Sequence, residues 1–191
     1  MANDIIDLLA HGFDWTGARV AHVRPDDLDA PTPCDGWPLR HLLDHMLASL
    51  EGLAAAASGE GPDPHQVDPE VQAGTDHLGD DCGRTAFAAV RDRALTAWRR
   101  PDVMAGTCAL PLGVLPAPVA AQINLVEVVV HGWDVSQATG EQEAIPPELA
   151  EPILAFSRQT VAPARGRAFG PDLDVGDTVA ERVVAFLGRK P

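Results

Sequence analysis

In the segment AAQINLVEVVVHGWDVSQATG, Glu127 and His131 stand four residues apart and Asp134 follows three later. On a helix the first pair shares a face, and Asp134 falls within about 60° of the same stripe. Asn124 flanks it. The valines around them, with Ile123, Leu125 and Trp133, make this helix apolar almost all round, so the stripe is expected to be buried. A carboxylate in such a setting needs a partner. One reading is a divalent metal held jointly by Glu127 and His131. The other is a metal-free Glu–His ion pair, because two residues do not make a metal site. A third donor decides between them, and His45 is the candidate. It lies about 120° from the centre of the leucine stripe of its own helix, at the border of the core, where a ligand facing an open cleft would sit. The alternative is an ordinary, partly buried histidine. Asp134 reads as a supporting carboxylate, orienting His131 through the ring's other N–H or acting as a base near the metal. Its alternative is a helix-end aspartate with a local hydrogen bond.

The elements that must position these groups are helical. A first helix is expected over Asp4 to Val23, with Ile5, Ile6, Leu9, Phe13 and Val20 near one face. After a Pro- and Asp-rich linker, a second helix opens at Pro38. Its Leu39, Leu42, Leu43, Met46, Leu47, Leu50 and Leu53 follow the i, i+3, i+4, i+7 pattern. Residues Ser58 to Arg84 read as a long loop. A third helix follows from Thr85 to Arg99, and an irregular stretch, extended around VMAGTCALPLG, leads to a fourth from Pro118 to Thr139 capped by Gly140. A shorter helix after Pro147, compromised by Pro152, and a last one over Thr178 to Leu187 complete the chain. The reading is all-α: four antiparallel helices in a bundle over about 4–140, with a C-terminal helical extension over 141–191, in a single domain 1–191.

The 191 residues carry 14 basic against 28 acidic groups, a net charge of −14. That field repels phosphate backbones and anionic headgroups, so nucleic-acid and membrane-surface partners are not expected. No apolar run approaches the roughly 18 residues of a membrane span, and the N-terminus has neither a basic leader nor a cleavage site. A cytoplasmic location is expected. Cys34, Cys82 and Cys108 show no CxxC spacing, which encodes neither a disulfide framework nor a cysteine zinc cluster. Cys34 precedes the second helix and lies on the order of 12 Å of helix from His45, so it reads as a buried structural thiol. His41 reads as a flanking residue, His65 and His77 as loop residues, and His11 and His22 lack ligand spacing. Trp133 points off the stripe into the core.

Three segments, TPCDGWPLRHLLDHM, NLVEVVVHGWDVSQATG and AFGPDLDVGDTVAERVVAFLGRKP, resemble an actinobacterial DinB-like metal-binding family related to the mycothiol-dependent maleylpyruvate isomerase. The family pattern is a C-x-G-W segment, a helix whose signature ends in histidine, and E-x-x-x-H-G-W-D about eighty residues later. Here Cys34, Gly36, Trp37, His45, Glu127, His131, Gly132, Trp133 and Asp134 occupy those positions. The resemblance implies an up-down-down-up four-helix bundle with a divalent metal, zinc by preference, held by His45, Glu127 and His131. Three protein ligands leave a position for water or substrate. The resemblance also implies a low-molecular-weight thiol, mycothiol, activated as a thiolate against an electrophilic substrate for transfer or isomerisation. Trp37 and Arg40, at the mouth of the second helix, are candidate substrate-binding residues, Arg40 as a bidentate partner for a carboxylate. A homodimer fits the superfamily. About fifty residues follow Gly140, which is expected to be too few for the second domain of the characterised isomerase, and this puts maleylpyruvate itself in doubt. A metal-dependent hydrolase and a non-catalytic module binding metal or ligand are the alternative functions.

Overall fold

The computed structural model describes residues 2–63, 68–166 and 169–191. Four long helices, α1 (Ala2–Val20), α2 (Leu39–Ala57), α4 (Arg84–Trp98) and α5 (Ala117–Ala138), form a bundle. A short α3 (Pro69–Ala73) lies in the α2–α4 connection, a hairpin of β1 (Thr107–Leu110) and β2 (Gly113–Pro116) precedes α5, and α6 (Pro147–Thr160) and α7 (Val179–Phe186) follow it. The two strands are antiparallel, with Thr107 opposite Pro116 and Leu110 opposite Gly113.

Contacts along the helices fix their directions. Gly12 lies against Leu125, Val128 and Val129, and Thr16 against Gly132, so α1 and α5 run parallel. Arg93 pairs with Glu51, and the Arg100 guanidinium donates to the carbonyl of Ser58, so α2 and α4 are parallel as well. Phe13 meets Phe87 while Arg84 reaches the carbonyls of Ala21 and Val23, which makes α1 and α4 antiparallel. The order is therefore up-down-down-up, as the resemblance implies. α5 packs on both α1 and α2.

The leucine stripe of α2 makes the core. Leu39, Leu42, Leu43, Met46 and Leu50 are fully buried, and each such side chain contributes about 1.5–3 kcal/mol by leaving water. From α1 come Leu9, Phe13 and Val20, and from α5 Leu125, Val128, Val129 and Val135. Asn124 is buried and accepts a hydrogen bond from the Trp98 indole at 2.9 Å, so it serves the core and not the polar stripe. Trp133 is in the core, as expected.

Two expectations change. The 58–84 segment is not all loop, because Asp68 caps the short α3 by accepting from the Glu70 N–H, with Pro69 at its first position. The extended piece near VMAGTCALPLG is a complete hairpin. α6 continues through Pro152. α7 opens with a reciprocal capping box between Thr178 and Glu181. Among the described residues no helix is long and apolar enough to cross a membrane.

Candidate functional site

α2 and α5 together line one wall of a cleft of about 1440 Å³, closed on other sides by α3, the hairpin and the C-terminal residues. His45 from α2 and Glu127 and His131 from α5 meet on that wall, with one ligand-type atom from each within 4.8 Å of the others. Glu127 Oε2 lies 3.5 Å from His131 Nε2 and 3.9 Å from His45 Nε2. Three N/O donors around a tetrahedral ion at ligand distances of about 2.0–2.1 Å stand about 3.4 Å apart. The observed separations are long for hydrogen bonds and close to those of a ligand set. Glu127 Oε2 is buried and makes no hydrogen bond, a costly state that a cation would relieve. These residues fit a divalent ion.

The far nitrogen of each imidazole is held. His45 Nδ1 is 2.8 Å from Gln72 Oε1, which also accepts from Ser49 at 3.3 Å. His131 Nδ1 is 3.0 Å from Asp134 Oδ2. With Nδ1–H donating to an oxygen in each ring, both Nε2 atoms face the cleft, the arrangement that orients metal-ligating histidines. Burial and the neighbouring charge of His131 lower the His45 pKa to about 4, which keeps it neutral near pH 7. Burial alone would lower His131 too, but contacts with Asp134 and Cys34 and the neighbouring charge of Glu127 outweigh it and hold the ring well above its usual pKa. Burial also opposes ionisation of Glu127, and contact with the two histidines overcomes this, so its pKa falls.

Asp134 is completely buried and is held by more than His131. Arg189, on the turn after α7, donates from Nε to Oδ1 and from Nη2 to Oδ2, both at 2.7 Å. This fork is the strong bidentate geometry of arginine with carboxylate. Burial would raise the Asp134 pKa, but Arg189 and His131 bring it down to about 2. Gly188 makes the turn possible. It adopts φ +88° and presses against Gly170, where a Cβ would come within 2.5 Å of the Gly170 backbone. Arg165 fastens the same crossing by donating to the carbonyls of Gly170 and Phe186 at 2.7 and 2.9 Å.

Of the other sequence candidates, Trp37 is at the cleft, its ring 4.9 Å from that of His45 and its indole N–H directed to Glu70. Arg40 is exposed and is not part of the cleft wall; a helix start carries it outward, away from His45. Cys34 is nearer the site than its separation along the chain implies. Its sulfur is 3.5 Å from Asp134 Oδ2 and 3.5 Å from Arg189 Nη2, because the turn at Gly36 (φ +80°) folds the segment back over α5. It is half-buried, not buried. His77 belongs to the cleft wall, its backbone N–H donating to the buried Asp44; His41 is no part of that wall, and His65 lies outside the described residues. Gln72 and Arg189 were not legible as site residues. The D-P-E sequence at 68–70 is a helix-start signal that could have placed Gln72 on a helix, but no spacing ties Arg189 to Asp134 across 55 residues.

Residues 9–136 match the family model of the mycothiol maleylpyruvate isomerase N-terminal domain. That span contains His45, Gln72, Glu127, His131 and Asp134 and stops before Arg189. Two uncharacterized proteins from two strains of Mycobacterium tuberculosis are 32% identical over 192 residues, covering 95% of this chain and 97% of theirs. A crystal structure of the mycothiol-dependent maleylpyruvate isomerase shares the fold, with a TM-score of 0.63 at 20% identity over 81% of this chain and 68% of that one. A histidine-to-alanine mutant of that enzyme superposes equally well at 21% identity. With the model match running over two-thirds of its length and through the whole polar stripe of α5, the chain belongs to the mycothiol maleylpyruvate isomerase N-terminal domain family.

Proposed function

We propose that this protein binds a divalent metal, zinc by preference, through His45, Glu127 and His131, and uses the cleft to bring a low-molecular-weight thiol of the mycothiol type to an electrophile for transfer or isomerisation. The observation that carries the reading is the orphaned Glu127 Oε2 facing two imidazole Nε2 atoms at the wall of an open cleft. Two nitrogens and a carboxylate suit a borderline ion. A metal bound there would lower the pKa of a coordinated thiol and supply a nucleophile at neutral pH. The chain's own residues do the remainder. Gln72 and Asp134 fix the two rings, Arg189 keeps Asp134 ionised, and Trp37 covers the His45 side of the cleft. To hold a metal, His131 would release its Nε2 proton to solvent, while the Asp134 carboxylate would keep the Nδ1 proton in place. The family to which the chain belongs is named for a mycothiol-dependent isomerase, which favours the thiol over water as the activated group.

The test is elemental analysis of the metal-replete protein beside a His45→Ala, His131→Ala double variant. About one equivalent of a transition metal in the parent, lost in the variant, is expected. In the cobalt-substituted parent, added mycothiol should then give a thiolate-to-metal charge-transfer band. Metal without that band, together with thiol-free ester cleavage, would favour the hydrolase. Absence of metal would leave Glu127 and His131 as a buried ion pair in a binding module.

A further inference from the structure

We propose that α3 is a clamp on the metal centre: its seating against α2 and the occupancy of His45 by a metal ion are coupled, with Gln72 carrying the coupling and Trp37 forming a second fastening. The inference rests on the triad being a metal site, as argued above. Five residues make little more than one helical turn, and helices below about 12 residues do not hold in water on their own, so α3 must be held from outside. Its cap, Asp68 on the Glu70 N–H, starts the turn but attaches it to nothing else. The attachments are side chains. Gln72 and Ala73 are buried while Val71 turns to solvent, and α3 packs against α2. Gln72 Oε1 meets His45 Nδ1 at 2.8 Å and the Ser49 hydroxyl at 3.3 Å. Glu70 Oε1 accepts from the Trp37 indole at 3.3 Å, and the Trp37 ring stands edge-on to His45 with centroids 4.9 Å apart. Just past α3, the His77 N–H donates to Asp44 at 2.7 Å. His45 thus closes a ring of contacts that runs through Gln72, α3, Glu70 and Trp37 and back to itself. His131, by contrast, is oriented by Asp134 from within its own helix.

The contact at Gln72 responds to the state of the ring. A neutral imidazole has one N–H and one lone pair, and Gln72 presents an oxygen, so this hydrogen bond exists only while the proton is on Nδ1. A metal at Nε2 takes the other lone pair, which confines the proton to Nδ1 and makes that N–H a stronger donor. In the metal-free ring the proton can instead sit on Nε2, on the side of Glu127. Two lone pairs then face one another between Nδ1 and Oε1, and the amide must give way. Metal therefore tightens Gln72 onto α2. By linkage, a seated α3 strengthens metal binding by the same factor.

Hydrogen exchange of the full-length protein with and without zinc reads the seating of α3, because the amides of Gly74, Thr75 and His77 are bonded within this segment or to Asp44. At labelling times that leave α1 unexchanged, saturating zinc should slow exchange across residues 70–77 by about 5- to 150-fold, the ordinary range of coupling between two sites. In Gln72→Leu saturated with zinc the slowing should vanish. Gln72→Glu keeps an acceptor for Nδ1 and should retain it. Trp37→Phe keeps a ring on His45 but removes the indole donor, and should speed exchange of the segment with and without zinc. Zinc binding is measured separately, by competition with a chromophoric chelator. Bound zinc with exchange unchanged, slowing that persists in Gln72→Leu, loss of it in both Gln72 variants alike, or parental exchange in Trp37→Phe would each overturn the clamp and leave the metal site standing. Failure of zinc to bind would remove the metal reading and the clamp with it.

Discussion

At the scale of single residues, the buried Asp134 controls the orientation of His131, and its own ionisation depends on Arg189. Its pKa in the fold is about 2 against an ordinary 3.8. A depressed carboxylate contributes stability that is fully present above the unfolded value and disappears as pH falls through the folded one. The parent should therefore exceed Asp134→Asn in stability by a margin that is constant down to about pH 4, and about 2 kcal/mol of that margin is the pH-dependent part set by the shift. That margin should shrink between pH 4 and pH 2, as read by urea unfolding at each pH. A margin unchanged through pH 2 would mean the carboxylate is not ionised by its partners. Gln72 holds the other ring. Gln72→Leu keeps the bulk and removes the acceptor, so metal affinity should fall about 10- to 100-fold with thermal stability of the metal-free protein little changed. That Glu127 and His131 share a face was legible because helical spacing and an apolar surrounding are local properties, whereas His45 joined them through the resemblance of its motif. Gln72 and Arg189 were not, because their partners lie 27 and 55 residues away and no periodicity reports such a contact.

At the scale of elements, the donors depend on how closely α5 can approach α1. Gly132, beside His131, faces Thr16, and a Cβ there would sit 2.3 Å from the Thr16 hydroxyl oxygen. That hydroxyl donates to the Val128 carbonyl at 2.8 Å and is buried. Gly132→Ala forces the helices apart at the level of the triad and should cost about 1–3 kcal/mol, measured by denaturant unfolding. Adding Thr16→Ala should recover part of the loss, since it removes the atoms the new methyl meets; no recovery would place the cost in α5 itself. The four bundle helices were legible from their hydrophobic spacing and caps, with boundaries a residue or two off at Pro38 and Pro118. α3 escaped because five residues are too few to show a period. The H-G-W-D order was legible as a motif, but the role of its glycine emerges only once α1 and α5 are seen to run side by side.

At the scale of the whole molecule, the last residues close the site. The chain leaves α7, crosses Gly170 at Gly188 and brings Arg189 against both Cys34 and Asp134, so the tail, the segment before α2 and the end of α5 meet in one charged cluster. Sequence could place α7 and the glycine behind it, but not the direction in which the arginine turns. The cluster makes stability of the bundle depend on the tail. Removing either partner leaves the other charged and buried, which costs about 3–5 kcal/mol, so Asp134→Asn and Arg189→Leu should each destabilise strongly. Removing both leaves no uncompensated charge, and the double variant should lose clearly less than the sum of the singles. The cycle is measured by urea unfolding at pH 7 on metal-free protein, which keeps ligand binding out of the comparison. Additive losses would mean that the tail and α5 are stabilised independently, and that Arg189 rests on the cleft without governing Asp134. A coupling of several kcal/mol would establish that the C-terminal turn, beyond the residues that match the family model, sets the charge state of the group orienting His131.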